Sequence, residues 1–264
     1  MKRGSFVAVA VAFAVSACGG ATGAGGTSAA GGTSHRDLLV SAAASLTDAF
    51  TEIGRAFERQ HPGVSVTFNF GPSDGLAGQI EEGAPVDVFA SASPTWMDAV
   101  EREGPGVTDR HDFARNELAI IVPEGDPAGI SGLADLAEPG VKLVLAAQGV
   151  PAGDYARQLF DRAGIADAAL ANVVSNEEDV KGVLTKVLSG DADAGIVYVT
   201  DVTPDVADRV TTIQIPHDVN VIATYPIAVV TGSKEADLAQ RFVDDVLGDG
   251  QRILARYGFL PPPS

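Results

Sequence analysis

The 264-residue chain contains a single cysteine, Cys18, so no intramolecular disulfide and no cysteine-rich zinc site can form. Cations are scarce as well: 18 Lys and Arg stand against 35 Asp and Glu, a net charge of −17. A surface that acidic repels a phosphate backbone, which excludes general nucleic-acid binding. Histidine is limited to His35, His61, His111 and His217, and no two have the i, i+4 spacing of a helical metal motif. The chain also lacks a G-x-x-x-x-G-K-[ST] phosphate loop and a strand-linked G-x-G-x-x-G, so nucleotide hydrolysis and dinucleotide binding have no support. No apolar run is long enough for a transmembrane helix. What is present is ordinary: 45% hydrophobic and 20% charged residues, the composition of a globular protein rather than a disordered, collagenous or coiled-coil chain.

Lys2 and Arg3 precede an apolar run of 12 residues, Phe6 to Ala17, which fits the hydrophobic region of a secretion signal. The run ends Val15-Ser16-Ala17-Cys18, which resembles the lipobox of bacterial lipoproteins, where cleavage leaves a lipid-modified cysteine at the mature N-terminus. The plainer alternative is an ordinary signal-peptidase site followed by an idle thiol. Gly19 to Ser34 is built from Gly, Ala, Ser and Thr, the composition of a flexible tether. The expectation is therefore a signal peptide over 1–17, a tether over 18–35, and a domain held at the outer face of the cell membrane by lipidated Cys18. Removing the leader takes away two cations and no acid, so the remainder is more acidic still.

Residues 36–264 alternate between strand-like and helix-like segments. Leu38–Val40 reads as a short strand. Leu46 to Gln60 reads as a helix, with Leu46, Ala49, Phe50, Ile53, Ala56 and Phe57 on one face, Ser45 as its N-cap and Asp48 at the capping-box position. Val64, Val66, Phe68 and Phe70 alternate with polar residues as in a half-buried strand. Val86–Ala90, Leu118–Val122, Val141–Ala146 and Ala194–Val199 read as further strands, and Val221–Val230 as two strand pieces around Pro226. Ser93-Pro94, Pro151-Ala152-Gly153, Glu178 and Ser233 mark helix starts. This pattern predicts an α/β protein with mostly parallel sheets and about eight strands, enough for two lobes. No Gly/Pro-rich linker divides it, so the chain is expected to cross between lobes along strands. Ligands in such folds sit at the carboxyl ends of strands, where helices begin.

Gly71-Pro72-Ser73-Asp74-Gly75 matches G-x-S-x-G and lies between a strand and a helix, as a nucleophile elbow requires. An extracellular serine hydrolase using Ser73 is thus one reading. Against it, no HGGG-type oxyanion segment lies upstream, and the late histidine, His217, has no clear carboxylate partner in the right order. Glu81-Glu82, Glu177-Glu178 and Asp244-Asp245 read as solvated helix faces. A different pattern is the series of strand-to-helix junctions at Ser45, Ser73, Ala152-Gly153 and Asp179-Val180. A helix N-terminus presents unpaired N–H groups and a partial positive charge, and several converging on one point make an anion site without any cation. Simple N-capping by the two serines is the competing reading.

Several segments carry a resemblance. Ala42-Ala-Ala-Ser45-Leu46-Thr47, Gly83-Ala-Pro-Val-Asp87-Val88-Phe89-Ala-Ser-Ala92 and Val150-Pro151-Ala152-Gly153-Asp154-Tyr155-Ala156 form the first half. Glu178-Asp179-Val180-Lys181-Gly182, Gly195-Ile196-Val197-Tyr198 and Arg256-Tyr257-Gly258-Phe259 follow in order. Together, over about residues 38–260, they resemble the molybdate-binding proteins of ABC transporters. The resemblance implies the type II periplasmic-binding-protein fold, with lobe 1 at 36–117 plus 227–264 and lobe 2 at 118–226. It implies a ligand, molybdate or tungstate, and no cofactor, catalytic residue or direct metal-ion ligand. Ser45 and Ser73 would each donate a backbone N–H and a hydroxyl, Ala152 and Val180 their backbone N–H groups, and Tyr198 its phenol. The Val180 role requires a helix that begins at Asp179 or Val180, not one capped from Ser175 in a box with Glu178. The implied partners are an ABC permease and its ATPase, with the binding protein a monomer; sulfate or phosphate is the alternative oxyanion.

Overall fold

The computed structural model describes residues 35–263. The expected secretion signal, Cys18 and all of the expected tether except His35 lie outside them. β1 (Arg36–Ala43) runs into a 3-10 turn at Ala44–Leu46 and then into α1 (Thr47–Gln60). β2 (Val64–Gly71), α2 (Ser73–Glu81), β3 (Val88–Ala90) and α3 (Pro94–Glu103) follow. The long β4 (Val107–Pro123) leads to β5 (Leu143–Ala146), α4 (Pro151–Ala163), α5 (Ala166–Ala171), β6 (Val173–Glu177) and α6 (Val180–Leu188). Next come β7 (Ala194–Tyr198), a 3-10 turn at Val199–Asp201, α7 (Pro204–Ala207) and β8 (Val210–Gln214). β9 (Ile222–Val230), α8 (Ala236–Leu247) and α9 (Gly250–Arg256) close the fold.

The strands join edge to edge in the order β2-β1-β3-β9-β4-β7-β5-β6, with β8 also on β4. β4 changes partners along its length. Its first part, Val107–Glu117, pairs with β9, and from Leu118 onward it pairs with β7 and then also β8. One α/β lobe therefore gathers around β1, β2 and β3 and the other around β5, β6 and β7, with β4 and β9 as the strands that connect them. This is the expected α/β, two-lobed class, with one correction: the sheets are not mostly parallel. β1 pairs in parallel with β2 and β3, as β5 does with β6 and β7, but every pairing of β4 and β9 is antiparallel. The βαβ units are parallel because a helix returns the chain to the same end of the sheet. The crossing strands have no such helix.

Helix packing follows from side-chain periodicity. α1 buries Ala49, Phe50, Ile53 and Phe57, and α8 buries Leu238, Ala239, Phe242, Val243 and Val246. Phe242 holds the two together. Its ring lies 5.4 Å from Phe57, 6.1 Å from Phe50 and 6.2 Å from Phe68, edge-on or tilted to each. Aromatic pairs in such geometry add to the burial of apolar area. β9 is continuous through Pro226, because the extended backbone suits proline at a position where no ladder N–H is required. Ser233 does not cap α8. It donates to Asp87 Oδ1 at 2.6 Å and accepts from the Glu235 N–H, anchoring the turn before the helix.

Phe242→Ala is expected to destabilise the protein by about 3–5 kcal/mol, the usual range for deleting a fully buried phenylalanine. Denaturant unfolding measures it, and a loss below about 1 kcal/mol would mean that α8 is not held through this ring.

Candidate functional site

Four chain reversals at the carboxyl ends of β1, β2, β5 and β6 face one point. The 3-10 turn after β1 carries Ser45, α2 begins at Ser73, α4 begins with Pro151-Ala152, and α6 begins at Val180. Together with Tyr198 at the end of β7 they line a cavity of about 20 Å³. Pockets for drug-sized ligands run to ~300–1,000 Å³, and a single water needs at least about 10–15 Å³. This cavity is far too small for a drug-sized ligand. The five sequence-selected residues Ser45, Ser73, Ala152, Val180 and Tyr198 all line it, and no Lys, Arg or His does.

The serines do not cap helices as the sequence reading allowed. α1 starts at Thr47 after Leu46, and neither Ser45 nor the Asp48 side chain forms a capping box. The Ser45 hydroxyl instead meets the Tyr225 hydroxyl at 2.9 Å. Ser73 is the first residue of α2 rather than its cap, the N-cap being Pro72, and its Oγ accepts from the Ala92 N–H at 3.0 Å. Both serines are nearly inaccessible to solvent. The hydrolase reading fails at the same point. A serine nucleophile needs a base within hydrogen-bond reach, and the Ser73 hydroxyl meets a backbone N–H. His217 is exposed and stands 3.6 Å from Glu117.

The backbone donors are equally defined. α6 begins at Val180, with Asp179 as N-cap accepting from the Gly182 N–H at 2.9 Å. The sequence reading started this helix near Glu178, but residues through Glu177 belong to β6, where the Ser175 hydroxyl donates to the Glu177 carboxylate. Val180 therefore occupies the first turn, where the N–H has no intrahelical acceptor. α4 has proline at its first position, and the first turn-closing bond runs from Asp154 N–H to Val150 O, so the Ala152 N–H is likewise unclaimed by the helix. The strand–helix approach here depends on Gly153. A Cβ at that position would stand 2.2 Å from Ala147 O and 2.4 Å from Ala146 O.

Tyr198 supplies the most telling atom. Its hydroxyl is buried and has no hydrogen-bond partner. Burial drives its pKa well up, with Tyr225 adding to the effect, so it stays a neutral donor. A buried hydroxyl without a partner costs about 1–3 kcal/mol, and Tyr198 is one of the residues that line the cavity. The turn behind it is fixed by Asp201, whose Oδ2 accepts from Tyr198 N–H at 2.9 Å. Asp201 is fully buried, its other oxygen makes no hydrogen bond, and Lys181 stands 4.0 Å away. Sequence reasoning missed Asp201, Asn116 and Tyr225. Asp201 and Tyr225 are polar residues inside apolar runs, which is the signal that marks them; Asn116 stands between Arg115 and Glu117 and carries no such signal.

Two contacts span the cleft beside the cavity. Trp96 Nε1 donates to Gly149 O at 2.8 Å, and Lys181 pairs with Asp48 at 3.1 Å. Among the described residues no group of His, Cys, Asp and Glu is arranged to hold a bare metal ion, and no helix is long and apolar enough to cross a membrane.

A small cavity at the switch between two α/β lobes, lined by the starts of helices from both, is the arrangement of a solute-binding protein. The chain belongs to the bacterial extracellular solute-binding proteins, whose family profile matches residues 38–260. It is 42% identical over 228 residues to the molybdate-binding protein ModA of Mycobacterium tuberculosis, covering 86% of this chain and 85% of that one. It is 34% identical over 230 residues to ModA of Escherichia coli, covering 84% and 88%. Its fold matches the periplasmic molybdate-binding protein of Azotobacter vinelandii with a TM-score of 0.74 at 21% identity, over 86% of this chain and 100% of that one. It matches the sulfate-binding protein SubI of M. tuberculosis equally well, TM-score 0.74 at 18% identity, over 86% and 87%.

Asp201 gives a pH test of this architecture. Burial, opposed by Lys181 and by the Tyr198 N–H, pushes its pKa from the ordinary 3.8 to about 6. Between those values the folded chain holds a proton that the unfolded chain has released, so acidification across that window favours folding. Stability of the wild type relative to Asp201→Asn is expected to rise by roughly 1–3 kcal/mol as pH falls from about 7 to about 4. Denaturant midpoints measured across that range would contradict the burial argument if the difference stayed flat.

Proposed function

We propose that this chain is the extracytoplasmic component that captures molybdate, and tungstate as a second ligand, for an ABC importer. The observation that carries the reading is the buried, unpartnered hydroxyl of Tyr198, a residue lining a small cavity that no Lys, Arg or His lines. The identity to two molybdate-binding proteins supports it. In this reading Ser45 and Ser73 donate backbone N–H and hydroxyl groups, Ala152 and Val180 donate backbone N–H groups, and Tyr198 donates its phenol. A dianion is then held by directed dipoles, which suits a chain of net charge −17 because neutral donors need no opposing charge nearby. Cavity size would discriminate against sulfate, which has the same shape and charge. Hydrogen phosphate would bring a proton that a cavity of donors cannot accept.

The lobes in this reading are 36–117 plus 227–264 and 118–226. The partner change of β4 at Glu117–Leu118 and the pairing of β3 with β9 from Ile227 support these boundaries. Closure of the lobes over the ligand would present a monomer to a membrane permease coupled to its ATPase. Lipidation of Cys18 would hold the protein at the outer face of the membrane, with 18–35 as the tether.

Calorimetric titration of the purified protein with molybdate, tungstate, sulfate and phosphate tests the reading. Tight one-to-one binding of the first two is expected, with the others silent. Binding of sulfate or phosphate alone would keep the fold and replace the substrate. Ser45→Ala combined with Ser73→Ala is expected to weaken molybdate binding by roughly 2–4 kcal/mol, at about 1–2 per hydrogen bond to a charged group. Unchanged affinity in the double variant would remove both hydroxyls from the site.

A further inference from the structure

A serine hydroxyl can accept as readily as it donates. In this cavity another protein group meets the oxygen of each of the two serines. For Ser73 that group is the Ala92 N–H, at 3.0 Å. For Ser45 it is a buried side-chain relay. Tyr225 on β9 is fully buried, and its hydroxyl lies 2.9 Å from Ser45 Oγ. Asn116 on β4, also fully buried, directs Nδ2 to the same phenol oxygen at 3.3 Å and to Thr200 Oγ1 at 2.7 Å. The amide cannot be turned over, because its Oδ1 accepts the Glu117 N–H at 3.0 Å.

These contacts restrict where the phenol hydrogen can go. Nδ2 is a donor only, so it cannot receive that hydrogen. Ser45 Oγ, at 2.9 Å, is the acceptor in hydrogen-bond contact with the phenol. Ser45 then has its oxygen occupied from behind and its own hydrogen free to point into the cavity.

We propose that Tyr225, oriented by Asn116, is a positioning residue that determines specificity: it fixes Ser45 as a donor and closes the cavity to oxyanions that carry a proton. The inference rests on the oxyanion reading above and adds to it a residue that does not touch the ligand. Removing the phenol oxygen frees the Ser45 lone pairs to accept a P–OH hydrogen, so the change appears in selectivity as well as affinity.

The test is titration of the wild type, Tyr225→Phe, Ser45→Ala and the double variant with molybdate and with inorganic phosphate. At about pH 8 phosphate carries one proton and molybdate none, so only phosphate asks the cavity for an acceptor. Tyr225→Phe is expected to weaken molybdate roughly tenfold and to narrow the molybdate-to-phosphate affinity ratio by at least about tenfold. In the Ser45→Ala background the same substitution should leave the ratio unmoved. A ratio unchanged by Tyr225→Phe, or narrowed equally without the Ser45 hydroxyl, overturns the proposal. Should Tyr225→Phe fail to fold, Asn116→Ala leaves the phenol oxygen open to the Ser45 hydrogen and reads the same ratio, narrowing in support and constancy against. A wild type that binds neither anion overturns the oxyanion reading as well. A wild type that binds molybdate beside a Tyr225→Phe variant with an unaltered ratio overturns the relay alone.

Discussion

Buried hydrogen-bond donors that the protein does not satisfy are the constraint around which this molecule is organised. Buried polar groups are nearly always paired, since each unpaired one costs about 1–3 kcal/mol. Here the Tyr198 hydroxyl is left open, and the first-turn N–H groups at Ala152 and Val180 have no acceptor within their helices. The surrounding fold concentrates these donors at one place. The turn after β1 and the helices α2, α4 and α6 leave the carboxyl ends of parallel strands, so their starts face the same way from either lobe. Gly153 lets α4 settle onto the end of β5 at a separation that no side chain permits.

The second layer consists of groups that hold those donors in place. Asp201 fixes the backbone behind Tyr198, and Asn116 and Thr200 join the connecting strands to the same network. Such buried polar chains are worth little when partly satisfied and rigidify a site when complete. The open Asp201 oxygen beside Lys181 is the exception. Lys181 also reaches Asp48 on α1, so one cation links α6, the turn after β7 and the opposite lobe.

The sequence made helices and parallel strands readable where one rule governed. Phe50, Ile53 and Phe57 announce α1 by their spacing, and Ser93-Pro94 announces α3, where Ser93 does accept from the Thr95 N–H. It was least readable where polar groups choose between partners. Ser45, Ser73 and Ser233 all look like N-caps, because a serine ahead of a helix favours that local bond. In each case a tertiary partner took over: Tyr225 for Ser45, the Ala92 N–H for Ser73, and Asp87 for Ser233, whose oxygen still accepts from the Glu235 N–H. Local pattern reports only the near alternative. The antiparallel course of β4 and β9 was hidden for the same reason, since an apolar run such as Leu118–Val122 reads alike in either direction. The five cavity residues were named through resemblance to a family; periodicity alone left the helix starts divided between capping and anion binding.

The acids near the cavity are what a charge count would misjudge. Each helix facing it carries a carboxylate at its start: Asp74 in α2, Asp154 in α4 and Asp179 ahead of α6. A helix N-terminus favours negative charge, so these residues stabilise their helices, but they also compete for the field an anion would use. Two are tied off by directed bonds. Asp179 accepts from Gly182 N–H, two residues after Val180 in the same first turn, and Asp154 turns back to the Gly149 N–H ahead of its helix. Their charge is spent on N–H groups that do not border the cavity. Asp74, with a buried Oδ1 that lacks a partner, is not tied off in this way. The site thus partly separates stabilising its helix starts from offering donors; the two overlap at α2, through Asp74, and at α6, where Asp179 itself lines the cavity.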